Sequence, residues 1–548
     1  MLQSIRLQHK LFLVSFVLAS VLTYWLYQQQ EKYFETHPYF YDGATYQTQH
    51  IELAQKAEKE GFFSAFVHNI LHNPKQPLRP GILLLFPQLL KNTIGYILLL
   101  IPLLTWFFNR LACLILLRTK HLPTALLSAL IFTSFGVIYD PFLGLGGYWL
   151  DFFAGILLSC AIIEFRFFEL KQEKKYLIHT GFFLAMCGLS RYEAYLYEFV
   201  VLGPVLLSGI ISRTAEKIQD KIKLLGLVAM PLIVFSAFHI LKHMSFIYEY
   251  NTKLNYGLGK DLKDSIWYIR TGLLKLANPG FIFLLLILPV WGLIQNFKNK
   301  TPNSVKDIIK GGWMCLSMPL LWSLVMGISG TGANYFMLFV FPVFIVSVLG
   351  WWPLPSSPAR SMTIGLIALG IFFSLEQVYS YHKSSSLTNL KVQNTLMIQD
   401  GFISSNTLVE GANVAPLFTE DTHPLYLRIY SKTGTLPPPV DSLVFSFHTN
   451  YYPANYETEN PDTLCILITD FLKRKVNYTI ALENPQIADT SSQYTEKLPR
   501  IMAAKLSESV LSDTAGWKKI HSFPSILFGN LIILQNRNPE IQKTEKWN

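Results

Sequence analysis

Stretches of roughly 20 mostly apolar residues, the length at which an α-helix crosses the hydrocarbon of a bilayer, recur along this chain as far as about residue 380. They run Leu11 to Tyr27, Thr93 to Leu117, Leu122 to Tyr139, Tyr148 to Glu164, Tyr176 to Leu189 and Tyr197 to Ile211. Five more follow: Lys223 to Leu241, Phe281 to Gln295, Gly312 to Ile328, Tyr335 to Trp352 and Met362 to Tyr379. Read as spans they number about eleven and predict a polytopic α-helical membrane protein. Composition agrees: 51% of the 548 residues are hydrophobic and 15% charged, with 40 Phe and 27 Tyr, more apolar side chain than a soluble core needs.

The net charge of +10 raises nucleic acid as a partner, and its distribution removes it. From Tyr381 onward 15 Lys and Arg face 16 Asp and Glu, so the basic excess lies among the spans, where it marks cytoplasmic loops. With Arg6 and Lys10 inside, the next inside connections hold Arg118 and Lys120; Arg166, Lys171, Lys174 and Lys175; Arg213, Lys217, Lys221 and Lys223; and Lys298, Lys300, Lys306 and Lys310. The alternate connections Asp140 to Asp151 and Ser329 to Asn334 carry no Lys or Arg and fall outside. The first span is longer than a signal-peptide core and has no small-residue cleavage pattern after it, so it is expected to stay as an anchor.

Two long outer loops are expected, 28–92 and 242–280, the first with an amphipathic stretch, IELAQKAEKEGFFSAF, suited to lie on the membrane surface. The expected division is a multi-span domain over 1–380 and an extracytoplasmic α/β domain over 381–548. In the tail, LCILITDFL, NYTIALEN and ILFGNLIILQN read as strands and EKLPRIMAAKLSESVL as a helix. The sequon Asn477-Tyr-Thr479 falls within one of these strands. Of Cys113, Cys160, Cys187, Cys315 and Cys465 only the last lies outside the spans, so the tail has no disulfide partner of its own. No zinc-spaced Cys/His cluster, phosphate-binding glycine loop or Gly-x-Ser-x-Gly elbow occurs.

Several residues could carry chemistry. Asp42 and Tyr46, four apart in THPYFYDGATYQ, follow the first span. A partly desolvated carboxylate there suits a general base, while Asp-Gly is also a common turn pair. Lys75 and Arg79 precede an apolar helix, where they could bind an anionic headgroup or anchor at the interface. Asp140 and Asp151 bracket DPFLGLGGYWLD. Arg191 and Glu193 fall between two spans with almost no loop, so Arg191 could grip a phosphate as a planar donor or pair with a carboxylate. Asn334 and Tyr335 open a late span. His239 and His243 have the spacing of a metal pair on one helix face without a third ligand nearby, so no metal ligand is assigned.

In this order the motifs resemble the GT-C class of glycosyltransferases, and most the bacterial relatives of protein O-mannosyltransferases and the lipid A aminoarabinose transferase. The resemblance runs from about Leu11 to Trp352: the acidic motif at Asp42 with Tyr46, the PL pair Pro77-Leu78, Asp151 opening the fourth span, GLSRYE before the sixth, Tyr335 with Pro342, and the tail domain. It implies a bacterial inner-membrane enzyme with its N-terminus cytoplasmic, taking a sugar from a polyprenyl-phosphate donor to a lipid, glycan or protein acceptor on the outer face. Asp42 would be the catalytic base, Arg191, Arg79 and Lys75 would hold the donor phosphate, and Tyr46, Asp151, Glu193, Asn334 and Tyr335 would line the cavity. The sequence departs from the family in having Gly43 where many relatives carry a second acid, and Asn334 where an Arg is frequent. No cofactor is required; a divalent cation is left open, with one of the acids that would hold it missing. Two other classes compete, an O-antigen polymerase or ligase relying on outer-loop cations and a secondary transporter using isolated intramembrane charges.

Overall fold

The computed structural model describes residues 2–36, 41–253 less 74–75, 134–135, 140–143, 148–149 and 213–216, 305–351 less 330–337, and 397–538 less 399, 402–413, 418–460, 487–496 and 526–528. By internal contacts the chain divides into two compact units. The first is Met1–Gln30, Leu53–Thr252 and Leu258–Ser384; the second is Glu31–Glu52, Lys253–Gly257 and Ser385–Asn548.

The first unit is helical: α1 (Leu2–Thr36), α2 (Tyr41–Glu60), α3 (Phe62–His72), α4 (Leu78–Leu83), α5 (Thr93–Thr119), α6 (Leu122–Thr133), α7 (Leu150–Lys171), α8 (Lys175–Ser190), α9 (Ala194–Tyr197), α10 (Gly203–Ile211), α11 (Ile218–Lys253), α12 (Val305–Ser329) and α13 (Val340–Trp351). The end of α1 from Glu31 and the part of α2 up to Glu52 belong to the second unit. Among the described residues, four stretches are long and apolar enough to cross a membrane: Leu7–Gln30, Ile94–Thr119, Ala194–Ile211 and Ile218–Phe246. Two of them, in α1 and α11, turn large apolar side chains outward. In α1 the residues Leu11, Ser15, Ala19, Leu22 and Leu26 are buried at helical spacing, and Phe12, Phe16, Val17, Val21 and Tyr24 are exposed. In α11 Ser236, His239 and His243 face inward while Ile233, Val234, Phe238 and Leu241 face outward. Helix faces this apolar turned outward are what a membrane-embedded protein presents to lipid.

Helix α7 sits at the centre, with every residue from Asp151 to Phe168 buried. It packs on α5, α8 and α13. Close approach depends on small residues. A Cβ on Gly155 would stand 2.5 Å from the Phe339 carbonyl oxygen, and one on Gly181 of α8 would stand 2.2 Å from the Val228 carbonyl oxygen of α11. Helix α7 is not among the four apolar spans, because it carries Asp151, Glu164, Arg166 and Glu169. These charges are paired, as buried charges must be. Arg110 of α5 meets Glu164 through two bonds of 2.6 and 2.9 Å, and His179 of α8 lies 3.2 Å from the same carboxylate. Arg166 donates to Asp307 of α12 at 2.5 Å, and Glu169 takes Lys310 and the Trp351 indole N–H. Arg118 and Arg166 also donate to the carbonyls of Leu349, Gly350 and Trp351, satisfying the end of α13.

The expected loop 28–92 is mostly helix. Buried Leu53, Ala54 and Ala57 of α2 pack with Ala65, Leu83, Leu84 and Leu90, a helical period inside what composition presents as a polar linker. The Asp42-Gly43 pair accordingly falls inside α2 and not in a turn. Helix α11 continues to Lys253, so the expected second loop opens as helix. The expected spans 281–295 and 362–379 and Asp140 lie outside the described residues.

The second unit contains a four-stranded sheet of β1 (Val414–Pro416), β2 (Tyr478–Leu482), β3 (Trp517–Ser525) and β4 (Gly529–Asn536) in the order β1-β2-β4-β3. β1 and β2 are parallel and the other pairs antiparallel. Helices α14 (Pro461–Lys475) and α15 (Lys497–Ser512) pack against it. Both faces of the sheet are covered, since Ile480, Leu482 and Ile533 fall in one core cluster and Ala481, Ile532 and Leu534 in another. The segment LCILITDFL, expected as a strand, lies within α14. Its Cys465, Ile468 and Leu472 are buried at i, i+3 and i+7 while Ile466 is 70% exposed, and a short apolar run fits either period until a partner surface selects one. Thr479 of the sequon is fully buried in β2.

Candidate functional site

Two of the residues expected to hold an anion, Arg191 and Arg79, lie beside the first turns of α7. Helix α8 ends at Ser190, and Arg191 follows in extended backbone, its N–H still bonded to the Cys187 carbonyl at 3.0 Å. The chain then turns through Tyr192 and Glu193 into α9. This places the Arg191 side chain against the first turn of α7, where Nη1 donates to Asp151 Oδ1 at 2.5 Å. Arg191 and Asp151 are 3% and 1% exposed. Glu193 stands on the other side, 3.6 Å from Arg191 Nε. Asp151 is suited to its position, since a carboxylate in the first turn of a helix opposes the dipole. Arg191 is therefore a buried cation between two carboxylates, and an anion reaching it must compete with them.

Arg79 is wholly buried, projecting from α4. Its Nε donates to Gln76 Oε1 at 3.1 Å, and Nη2 donates to the same oxygen. The guanidinium lies 4.4 Å from the centre of the Tyr96 ring and 5.7 Å from that of Phe153. Phe153 is two residues from Asp151, so Arg79 and Arg191 lie beside the same turns of α7 but on different faces of it. The turn before α4 is tied in detail. Asn69 donates to the Pro77 carbonyl at 2.8 Å, Asn73 Oδ1 accepts from the Gln76 N–H at 3.1 Å, and the Tyr96 hydroxyl donates to the Leu145 carbonyl at 3.1 Å.

His239 and His243 do not form a metal pair in this arrangement. Their Nε2 atoms lie 3.4 Å from the Asn73 carbonyl and 2.9 Å from the Ile70 carbonyl, so both rings address the last carbonyls of α3. Among the described residues no three His, Cys, Asp or Glu side chains come together as a metal would need.

Asp42 is the second residue of α2, with Tyr46 one turn on and buried. Both belong to the second unit, and the Asp42 side chain lies outside the described residues. So do Lys75, Asn334 and Tyr335. Of the expected site, then, Asp151, Arg191 and Glu193 are brought together, and Arg79 lies by Phe153 on a different face of α7.

No family model and no curated protein matches this sequence.

Chemistry-bearing residues that sequence reasoning passed over are Gln76, which aims Arg79, the Arg110, Glu164 and His179 trio, and Glu198. Glu164 and Glu198 interrupt apolar runs, and an ionisable residue at that depth is itself a signal. Gln76 gives no such signal, because its role exists only through the turn that presents it.

Proposed function

We propose that this chain is a membrane glycosyltransferase that moves a sugar from a polyprenyl-phosphate donor to a lipid, glycan or protein acceptor. The observation that carries the reading is the presence of two buried guanidinium groups beside the first turns of the central helix, Arg79 on Gln76 and Tyr96 and Arg191 on Asp151. A leaving phosphate needs cations aimed at it in a place water does not screen, and little other machinery. Asp42 is the residue proposed to take the acceptor's proton, with Tyr46 beside it, Lys75 as a further phosphate contact, and Glu193, Asn334 and Tyr335 on the substrate side. Attack in a single displacement inverts the anomeric carbon.

The proposal includes about eleven spans, an inner-membrane location with the N-terminus cytoplasmic, and the second unit on the outer face. It supports a lipid-linked donor over a nucleotide sugar, since the isoprenoid chain partitions between helices while the sugar meets groups at their ends. The test is lipid and glycan analysis of cells with the intact gene, without it, and with Asp42→Asn. Loss of the gene and Asp42→Asn should both accumulate one polyprenyl-phosphate sugar and leave one glycan a residue short. An unchanged profile without the gene sinks the reading, and full transfer by a normally expressed Asp42→Asn protein sinks the base assignment alone.

A further inference from the structure

One buried polar cluster lies apart from the two arginines. Between α9 and α10 the chain makes a π-helical turn, Glu198–Leu202, closed by the Gly203 N–H donating to the Glu198 carbonyl. Its cause is in the sequence: Pro204 has no N–H, so a carbonyl of the preceding turn cannot keep its helical partner. Wide turns of this kind recur at functional positions. Glu198 is 4% exposed, and neither of its carboxyl oxygens meets a hydrogen-bond donor. Its polar neighbour is the Cys187 thiol of α8, which donates elsewhere, to the Ala154 carbonyl at 3.3 Å.

Two more buried polar groups share the place. Tyr195, one turn before Glu198, presses its ring onto the bare Cα of Gly188, where a Cβ would stand 1.9 Å from the ring. The hydroxyl of Tyr195 sits beside that of Ser236 on α11, and neither meets a partner in hydrogen-bonding geometry. Tyr195 is 8% and Ser236 1% exposed. A buried polar group left unmade costs about 1–3 kcal/mol, so a carboxyl and two hydroxyls orphaned together point to something that satisfies them. On the packed elements, Arg191 is engaged with Asp151 and Glu193, and Asp307 and Lys310 of α12 with Arg166 and Glu169.

We propose that Glu198, Tyr195 and Ser236 form a binding site for one small monovalent cation, a proton or a sodium ion. The single carboxylate matches a single positive charge, and the hydroxyl oxygens are the hard neutral donors that such an ion takes in place of water. Binding there ties α8, α9 and α11 together. This inference does not rest on the glycosyltransferase reading, and its test does not measure transfer.

The test is the thermal midpoint of the full-length protein in detergent, wild type against Glu198→Gln and Ser236→Ala. Each is measured in sodium chloride and in choline chloride of equal strength, in mildly acid and mildly alkaline buffer. A sodium site stabilises the wild type by about 3 °C or more over choline, and the gain disappears in Glu198→Gln and shrinks in Ser236→Ala. A proton site gives no sodium effect but a wild-type midpoint that falls toward alkaline pH, with a flat Glu198→Gln profile. If wild type and Glu198→Gln respond alike to sodium and to pH, the proposal is overturned. Should Glu198→Gln fail to fold, dicyclohexylcarbodiimide labelling of the wild type decides. Modification of Glu198 that sodium suppresses or alkaline pH abolishes supports the site, and modification indifferent to both, or none, overturns it.

Discussion

Arg191 donates from Nη1 to Asp151 Oδ1 at 2.5 Å, joining the end of α8 to the first turn of α7 with both side chains almost fully buried. The pair places a cation where the proposed donor phosphate would sit and spends part of its field on a neighbour. Such a pair is costly to break from one side. Asp151→Asn or Arg191→Gln alone should destabilise the protein by about 3–5 kcal/mol, because each strands a buried charge. The double variant should recover part of that loss. Unfolding in detergent by denaturant would show it, and additive single effects would mean the two charges do not depend on each other.

The close crossing of α8 and α11 gives a sharper steric expectation. A Cβ on Gly181 would stand 2.2 Å from the Val228 carbonyl oxygen, a contact of backbone with backbone that no rotamer change can relieve. Gly181→Ala should cost about 1–3 kcal/mol or more. Gly226→Ala, in α11 with nothing within 4 Å of the added atom, should be neutral or slightly stabilising. Thermal midpoints of the two variants should move in opposite directions or differ by several degrees.

In the second unit, the last residue of β4 closes the end of α14. Asn536 Nδ2 donates to the carbonyls of Lys473 and Val476, both at 2.9 Å, and of Leu472 at 3.4 Å. Asn536→Ala takes this donor from the Lys473 and Val476 carbonyls, while Leu472 keeps the Val476 N–H at 3.0 Å, and should cost about 1–3 kcal/mol. Asn536→Asp should cost more, since it points negative oxygens at them. Hydrogen exchange in peptides covering α14 should speed up in both variants, and unchanged exchange would remove Asn536 as a cap.

Acid should loosen the same unit through Asp513. Lys473 at 2.8 Å and the Gly516 N–H at 3.0 Å hold its carboxyl below the usual range, the lysine being the larger cause. A depressed folded pKa means stability that is present above the unfolded pKa, about 3.9, and lost as pH falls through the folded one. The pair is partly exposed, so the effect is small. Peptides spanning Asp513 should exchange faster in Asp513→Asn than in wild type at neutral pH, with the difference closing below about pH 4. A difference that persists in acid would contradict this.

The sequence by itself carried what depends on local period and local chemistry. Apolar runs announced the helices, because a helix in hydrocarbon satisfies its own backbone and needs only length and hydrophobicity. Asp151 and Arg191 stood out as charges at span ends. What lies between distant residues was not written there. That Arg191 faces Asp151 and only glances at Glu193, that Gln76 aims Arg79, that Arg110 finds Glu164 and that LCILITDFL winds as helix were decided by tertiary packing. In each case the sequence allowed several partners or two periods, and only the surface that arrived from elsewhere in the chain selected one.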